Sequence, residues 1–101
     1  MGGFAKVARV SEVPEGTGKV VSANGEEIAL FHANGKFYAT HNTCIHRGGP
    51  LGEGSLDGTI VTCPWHGWEY DATTGVCITN PDAQLQCFPV KVEGEDVLVS
   101  V

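Results

Sequence analysis

The residues in this chain best suited to hold a metal fall into two compact pairs, Cys44-Ile45-His46 and Cys63-Pro64-Trp65-His66, with sixteen residues between His46 and Cys63. Each pair offers one thiolate and one imidazole from a tight turn, so two loops would clamp a centre between them. Both pairs run on into glycine, as Arg47-Gly48-Gly49-Pro50-Leu51 after the first and Gly67-Trp68 after the second. Glycine lets the backbone approach a centre and aim N–H groups at it. Two cysteines and two histidines are the donor set of a structural zinc site. They also suit a mixed-ligand iron–sulfur cluster, whose sulfurs accept such N–H bonds. Zinc fingers usually pair Cys with Cys and His with His, commonly with the histidines on a helix. Here each half is mixed, no helix is evident, and the glycine-proline flank has no clear use for zinc. The pattern favours iron–sulfur, with a zinc-binding interaction module as the alternative.

The elements that must position these loops are strands. Asn24-Gly25, Asn34-Gly35, Thr74-Gly75 and Gly94 each sit between short runs rich in Val, Ile, Phe, Tyr or Thr, which is the signature of hairpin turns. Residues 27–32 and 36–40 flank Asn34-Gly35 and read as one hairpin; residues 90–93 and 96–101 read as another, closed around Gly94. Further strands are expected over 18–23, 59–63 and 69–71. No stretch keeps a helical period over three turns. Two segments break the rhythm: 41–58, long and glycine-rich, and 80–87, which contains Pro81. A long irregular loop in a compact domain is usually functional or disordered. The expected fold class is all-β, a sandwich or small barrel formed as one domain over residues 1–101, with no linker, repeat or low-complexity segment.

Composition narrows the function. A chain of 101 residues, 42% apolar, has room for one modest core, and a metal centre would brace so small a domain. Twelve acidic residues against six basic ones give a net charge of −6. That excludes nucleic acid, which needs a basic footprint; it would suit a partner with a basic docking patch, or simply keep the chain in solution. The first ten residues hold Lys6 and Arg9 and no long apolar run, unlike an export signal. No segment has the apolar length to span a bilayer. A cytoplasmic protein without a membrane tether is expected, where closely spaced Cys and His serve as ligands rather than disulfides. Cys77 and Cys87 fit neither pair and are read as buried small apolar residues. His32 and His41 are read as structural, Glu69 and Asp71 as strand and turn residues, and Trp65 and Trp68 as shields between the centre and water. Nothing suggests a nucleophile or an acid–base pair.

The two boxes, Cys44-x-His46-Arg47-Gly48-Gly49-Pro50-Leu51 and Cys63-Pro64-Trp65-His66-Gly67-Trp68, resemble the cluster-binding boxes of the Rieske family, and the strands on either side extend the resemblance over nearly the whole chain. It implies an antiparallel β-sandwich or small barrel with a two-loop cluster-binding subdomain and one [2Fe–2S] cluster. Cys44 and Cys63 would hold one iron, and His46 and His66 the other through Nδ1, with Pro81 on a third, covering loop. Rieske proteins of cytochrome bc complexes join the two boxes by a disulfide; Gly49 and Trp65 stand at those positions here. Those proteins also place after the second His-Gly a serine that bonds a sulfide, where this chain has Trp68. The departures make the chain similar to a soluble Rieske ferredoxin, an electron carrier rather than an enzyme. Such carriers pass electrons from a flavoprotein reductase to the terminal oxygenase of a bacterial ring-hydroxylating dioxygenase acting on aromatic hydrocarbons; a monomer is the simplest state. The small subunit of assimilatory nitrite reductase shares the fold, but many of those lack the four ligands present here. An oxygenase Rieske domain is less in keeping with a complete β framework of this length.

Fewer donors to the cluster stabilise the added electron less, so the midpoint potential is expected near the low end of the Rieske range, about −150 mV. The reduced cluster holds imidazole protons more tightly, so the potential should fall as pH rises past the oxidised-state pKa. Potentiometric titration over a pH series checks both, and a potential flat well into alkaline pH would refute the second.

Overall fold

A run of four apolar residues, Ile28-Ala29-Leu30-Phe31, accounts for the architecture better than any alternating stretch does. The computed structural model describes residues 4–23, 25–42, 50–65, 67–80 and 82–100. The run lies in β3 (Glu26–Ala33), and all four side chains are completely buried. Successive side chains of a strand point to opposite faces, so a continuous apolar run means burial on both sides. Ile28 and Leu30 join one cluster with Ala8, Val21, Phe88 and Val97. Ala29 and Phe31 join another with Leu51, Val61, Cys63 and Tyr70. The sheet containing β3 is therefore a middle layer with a core on each face.

That middle sheet has the order β2 (Thr17–Ala23), β3, β4 (Lys36–His41), β8 (Cys87–Phe88). Over its first face lies β1 (Phe4–Arg9), paired with β10 (Asp96–Ser100), which pairs in turn with β9 (Val90–Glu93). Against its second face lies a smaller sheet of β5 (Ser55–Asp57), β6 (Ile60–Thr62) and β7 (Glu69–Asp71). All named pairings are antiparallel. Among the described residues no helix is long and apolar enough to cross a membrane.

The expected hairpins form. Asn34 and Gly35 have φ of 54° and 77°, the backbone of a two-residue turn that matches strand twist, and Ala33 pairs with Lys36 across it. The Glu15 carboxylate accepts the N–H groups of Asn34 at 2.6 Å and Gly35 at 2.9 Å, fastening the turn to the preceding loop. His32 is built into the same corner: its Nδ1 lies 2.8 Å from the Val13 carbonyl and its ring stacks on Phe37 at 4.1 Å.

Three strands go beyond the sequence reading. β1 carries a bulge between Lys6 and Ala8, which breaks the alternation that would announce a strand. β5 and β8 have three and two residues, too few to show a period. β5 lies inside the segment 41–58 expected to be irregular and β8 begins at the last residue of the segment 80–87, and residues 51–53 add a 3₁₀ turn to the first. Asn24 and Pro81 lie outside the described residues.

Gly25 and Gly75 share a φ of 81° but not their surroundings. A Cβ at Gly25 would meet nothing within 4 Å, whereas one at Gly75 would collide with the Leu85 carbonyl and lie 3.0 Å from Cys87 Sγ. Left-handed backbone costs both alanine variants about 1–2 kcal/mol, and overpacking adds about 1–3 kcal/mol at Gly75 alone. Urea unfolding should rank Gly75→Ala below Gly25→Ala by that margin.

Candidate metal centre

The second box is the connection between β6 and β7. Val61 and Tyr70 pair across these strands and are fully buried, so the hairpin enters and leaves its loop from a packed base. Cys63 follows β6 directly and is 1% exposed, inside the second core. Its N–H donates to the Trp68 carbonyl at 2.7 Å, closing the intervening residues into a small loop. Gly67 has φ 76°, a conformation open to glycine that turns the chain back toward β7. The thiol thus sits at the buried foot of the loop while Pro64 and Gly67 are exposed.

The first box leaves β4 through Asn42 and returns at Pro50 into the 3₁₀ turn Leu51–Glu53. Leu51 is completely buried and belongs to the same cluster as Cys63. Immediately beyond, the backbones themselves meet: a Cβ on Gly54 would collide with the carbonyl of Thr62, the residue before Cys63. The exit of the first loop and the entrance of the second are therefore packed as one unit. Of the four expected ligands only Cys63 falls within the description; Cys44, His46 and His66 lie outside the described residues. A soft thiolate donor, buried at the foot of a closed loop beside the end of the other box, suits an iron–sulfur centre. Among the described residues no group of three or more His, Cys, Asp or Glu side chains gathers elsewhere as a metal site.

Other expectations for this region divide. Trp68 is partly buried against the second core, as a shield would be. Trp65 is 50% exposed, and the second core does not include it. Cys77 is fully buried, and its Sγ accepts the Asn80 N–H at 3.3 Å. Cys87 is exposed rather than buried: Phe88, its neighbour on β8, takes the place in the first core, alternation sends Cys87 to the other face, and on this edge strand the second core does not include it. Glu69 and Asp71 are strand residues, and Asp71 Oδ1 accepts both the N–H and the hydroxyl of Thr73 at 2.9 and 2.6 Å. His41 ends β4, its N–H bonded to the Gln86 carbonyl.

The sequence reading overlooked Asn42, a buried side chain at the root of the first loop. It also overlooked an open cleft of about 510 Å³, lined by Val10, His32, Lys36, Phe37, Val90 and Lys91 among others, which shares no lining residue with either box.

Comparison with known proteins adds to this geometry. The sequence profile described as "Rieske [2Fe-2S] domain" matches residues 3–89. A naphthalene 1,2-dioxygenase system ferredoxin component from Pseudomonas aeruginosa is 36% identical over 91 residues, 89% of this chain and 88% of the relative. The biphenyl dioxygenase ferredoxin subunit of Pseudomonas sp. (strain KKS102) is 38% identical over 98 residues, 95% of this chain and 90% of the relative. Among solved structures, a chain in a complex of reduced oxygenase and oxidized ferredoxin in carbazole 1,9a-dioxygenase superposes with a TM-score of 0.87 at 34% identity, covering 96% of this chain and 92% of that one.

Although Cys87 is exposed, its thiol is partly desolvated by its neighbours, which holds it above its ordinary pKa, and the nearby Asp71 charge adds to the effect. Only the thiolate reacts with alkylating agents. At neutral pH Cys87 should therefore label with iodoacetamide more slowly than a small-molecule thiol and speed up as pH rises. Cys77 should label only after unfolding, with mass spectrometry locating the adducts.

Proposed function

The chain belongs to the Rieske [2Fe-2S] domain family and carries one [2Fe–2S] cluster, and we propose that Cys44 and Cys63 hold one iron of that cluster while His46 and His66 hold the other. The matched span of residues 3–89 carries this reading, because both Cys/His boxes fall inside it. The burial of Cys63 beside Leu51 supports it from the structure. When bound, the cluster takes up and releases one electron at a time. The chain's own residues hold and insulate it. Cys63 supplies a thiolate from a loop closed by the Cys63–Trp68 hydrogen bond, while Leu51 and Trp68 exclude water from the protein side. Replacing two thiolates by neutral imidazoles makes the reduced state easier to reach than in an all-cysteine cluster.

The chain acts as an electron carrier, formed as one domain over residues 1–101 and working as a cytoplasmic monomer. Its donor is a flavoprotein reductase and its acceptor the terminal oxygenase of a multicomponent dioxygenase. Support comes from relatives named as ferredoxin components of naphthalene and biphenyl dioxygenase systems and from the likeness to a chain in an oxygenase–ferredoxin complex. A net charge of −6 would steer such a carrier to basic patches on both partners, with rates that fall as salt rises.

Redox titration followed by electron paramagnetic resonance tests the assignment. A single one-electron centre with the spectrum of mixed cysteine and histidine ligation is expected. His66→Cys exchanges a neutral ligand for a charged one and should pull the potential down toward the about −400 mV of all-cysteine plant-type clusters. Cys63→Ser should lose the visible absorption. A colourless protein containing zinc would overturn the reading.

A further inference from the structure

We propose that Asn42 is a positioning residue for the cluster, tying together the two ends of the loop that carries Cys44 and His46; this rests on the ligand assignment above. Thr40 and Asn42 are the buried polar residues among those described, and Asn42 is 4% exposed. Its side-chain Oδ1 accepts the Gly52 N–H at 2.9 Å. Its main-chain carbonyl accepts the Leu51 N–H at 2.8 Å, and its own N–H donates to the Glu27 carbonyl of β3 at 3.4 Å. One residue thereby joins the end of β4, the start of β3 and the far side of the loop. Eight residues, 43–50, lie between the joined ends. Cys44 is two residues from Asn42 and so within about 7 Å of it along the chain.

The far side of the loop is itself immobilised. A Cβ on Gly52 would lie 2.8 Å from both Cγ2 and the backbone nitrogen of Val20, so this stretch is pressed against β2. Leu51 is locked in the core with Cys63, and Gly54 abuts Thr62. Asn42 completes this base with a neutral acceptor. Removing the side chain would leave the Gly52 N–H buried without its partner, which costs more than an average hydrogen bond contributes. The ends could then part. Outer partners that orient metal ligands typically change metal affinity 10–100-fold when mutated, and Asn42 acts at this level although it touches no metal.

The test compares the time course of cluster loss to a chelator, read by visible absorption, in three folded variants. Asn42→Ala is expected to lose its cluster about 10–100-fold faster than the parent and to broaden the resonance of the reduced centre. Asn42→Asp keeps the Oδ1 acceptor but buries a charge where asparagine is neutral, and should lose its cluster more slowly than the alanine variant and faster than the parent. Val97→Ala opens the first core on the opposite face of the middle sheet; it should lower the unfolding midpoint without changing cluster lifetime or spectrum. Should Asn42→Ala fail to fold, Asn42→Ser takes its place with the same expectation. Faster hydrogen exchange at the Gly52 amide in the alanine or serine variant should accompany cluster loss. A truncated variant with the parent's cluster lifetime, one matched by Val97→Ala at equal loss of stability, or an aspartate variant as labile as alanine would overturn the proposal. A parent chain that holds no iron–sulfur cluster would instead overturn the ligand assignment, and the proposal with it.

Discussion

Everything in this molecule depends on β3 being buried on both faces. Ile28 and Leu30 face one core, Ala29 and Phe31 the other, and each large side chain so buried contributes about 1.5–3 kcal/mol. A slip of one residue in a strand exchanges its two faces. In β3 that would push Phe31 toward the side built for Leu30 and leave Leu30 or His32 in the space of a phenyl ring. The register is also keyed from the neighbouring strand. Phe31 pairs with Gly18, where any Cβ would come within 2.7 Å of the ring. Moving β3 against β2 would set the ring opposite Thr17 or Lys19 instead. The glycine and the aromatic therefore select one alignment of the middle sheet.

That alignment reaches the metal-binding loops through short paths. β3 pairs with β4, β4 ends at His41, and Asn42 roots the first loop while holding the Glu27 carbonyl of β3. On the same face as Phe31, the second core collects Leu51 from the end of the first box and Cys63 from the start of the second. Two loops distant in sequence meet because both deposit an apolar residue into one cluster, and the Gly54–Thr62 contact sets how closely they approach. Trp65 lies outside this packing and projects half its surface into solvent. An exposed indole is a side chain of the kind enriched at protein interfaces.

What the sequence disclosed and what it concealed follow from range. The Cys/His pairs, the Asn34-Gly35 turn and the Gly94 turn are local patterns, whose chemistry is complete within a few residues, and they were legible. So was the burial of Cys77. β8 was not, because two residues have no period and its pairing partner, Thr40, is 47 positions away from Cys87. For the same reason the outward direction of Cys87 could not be read: it depends on Phe88 taking the inward place. Trp65 and Trp68 look alike as residues of one Cys/His box, and only the loop closure from Cys63 to Trp68 separates the exposed ring from the packed one. Asn42 was invisible because its partner, Gly52, lies across the loop.

The braces also bear on how the centre and the fold depend on each other. Rieske proteins that join their two boxes by a disulfide restrict the unfolded chain as well as the folded one. With Gly49 and Trp65 at those positions, this chain holds its loops by Asn42–Gly52, Gly54–Thr62 and Cys63–Trp68. None of these survives unfolding, since each needs the second core beneath it. The loops are therefore ordered at their roots only while β3 is sandwiched, and a cluster that binds this state alone stabilises it in return by mass action. Cluster retention then follows the second core, where Leu51 and Cys63 pack, rather than the first. Loosening the second core is what would release the cluster, and filling the site would tighten that core in return.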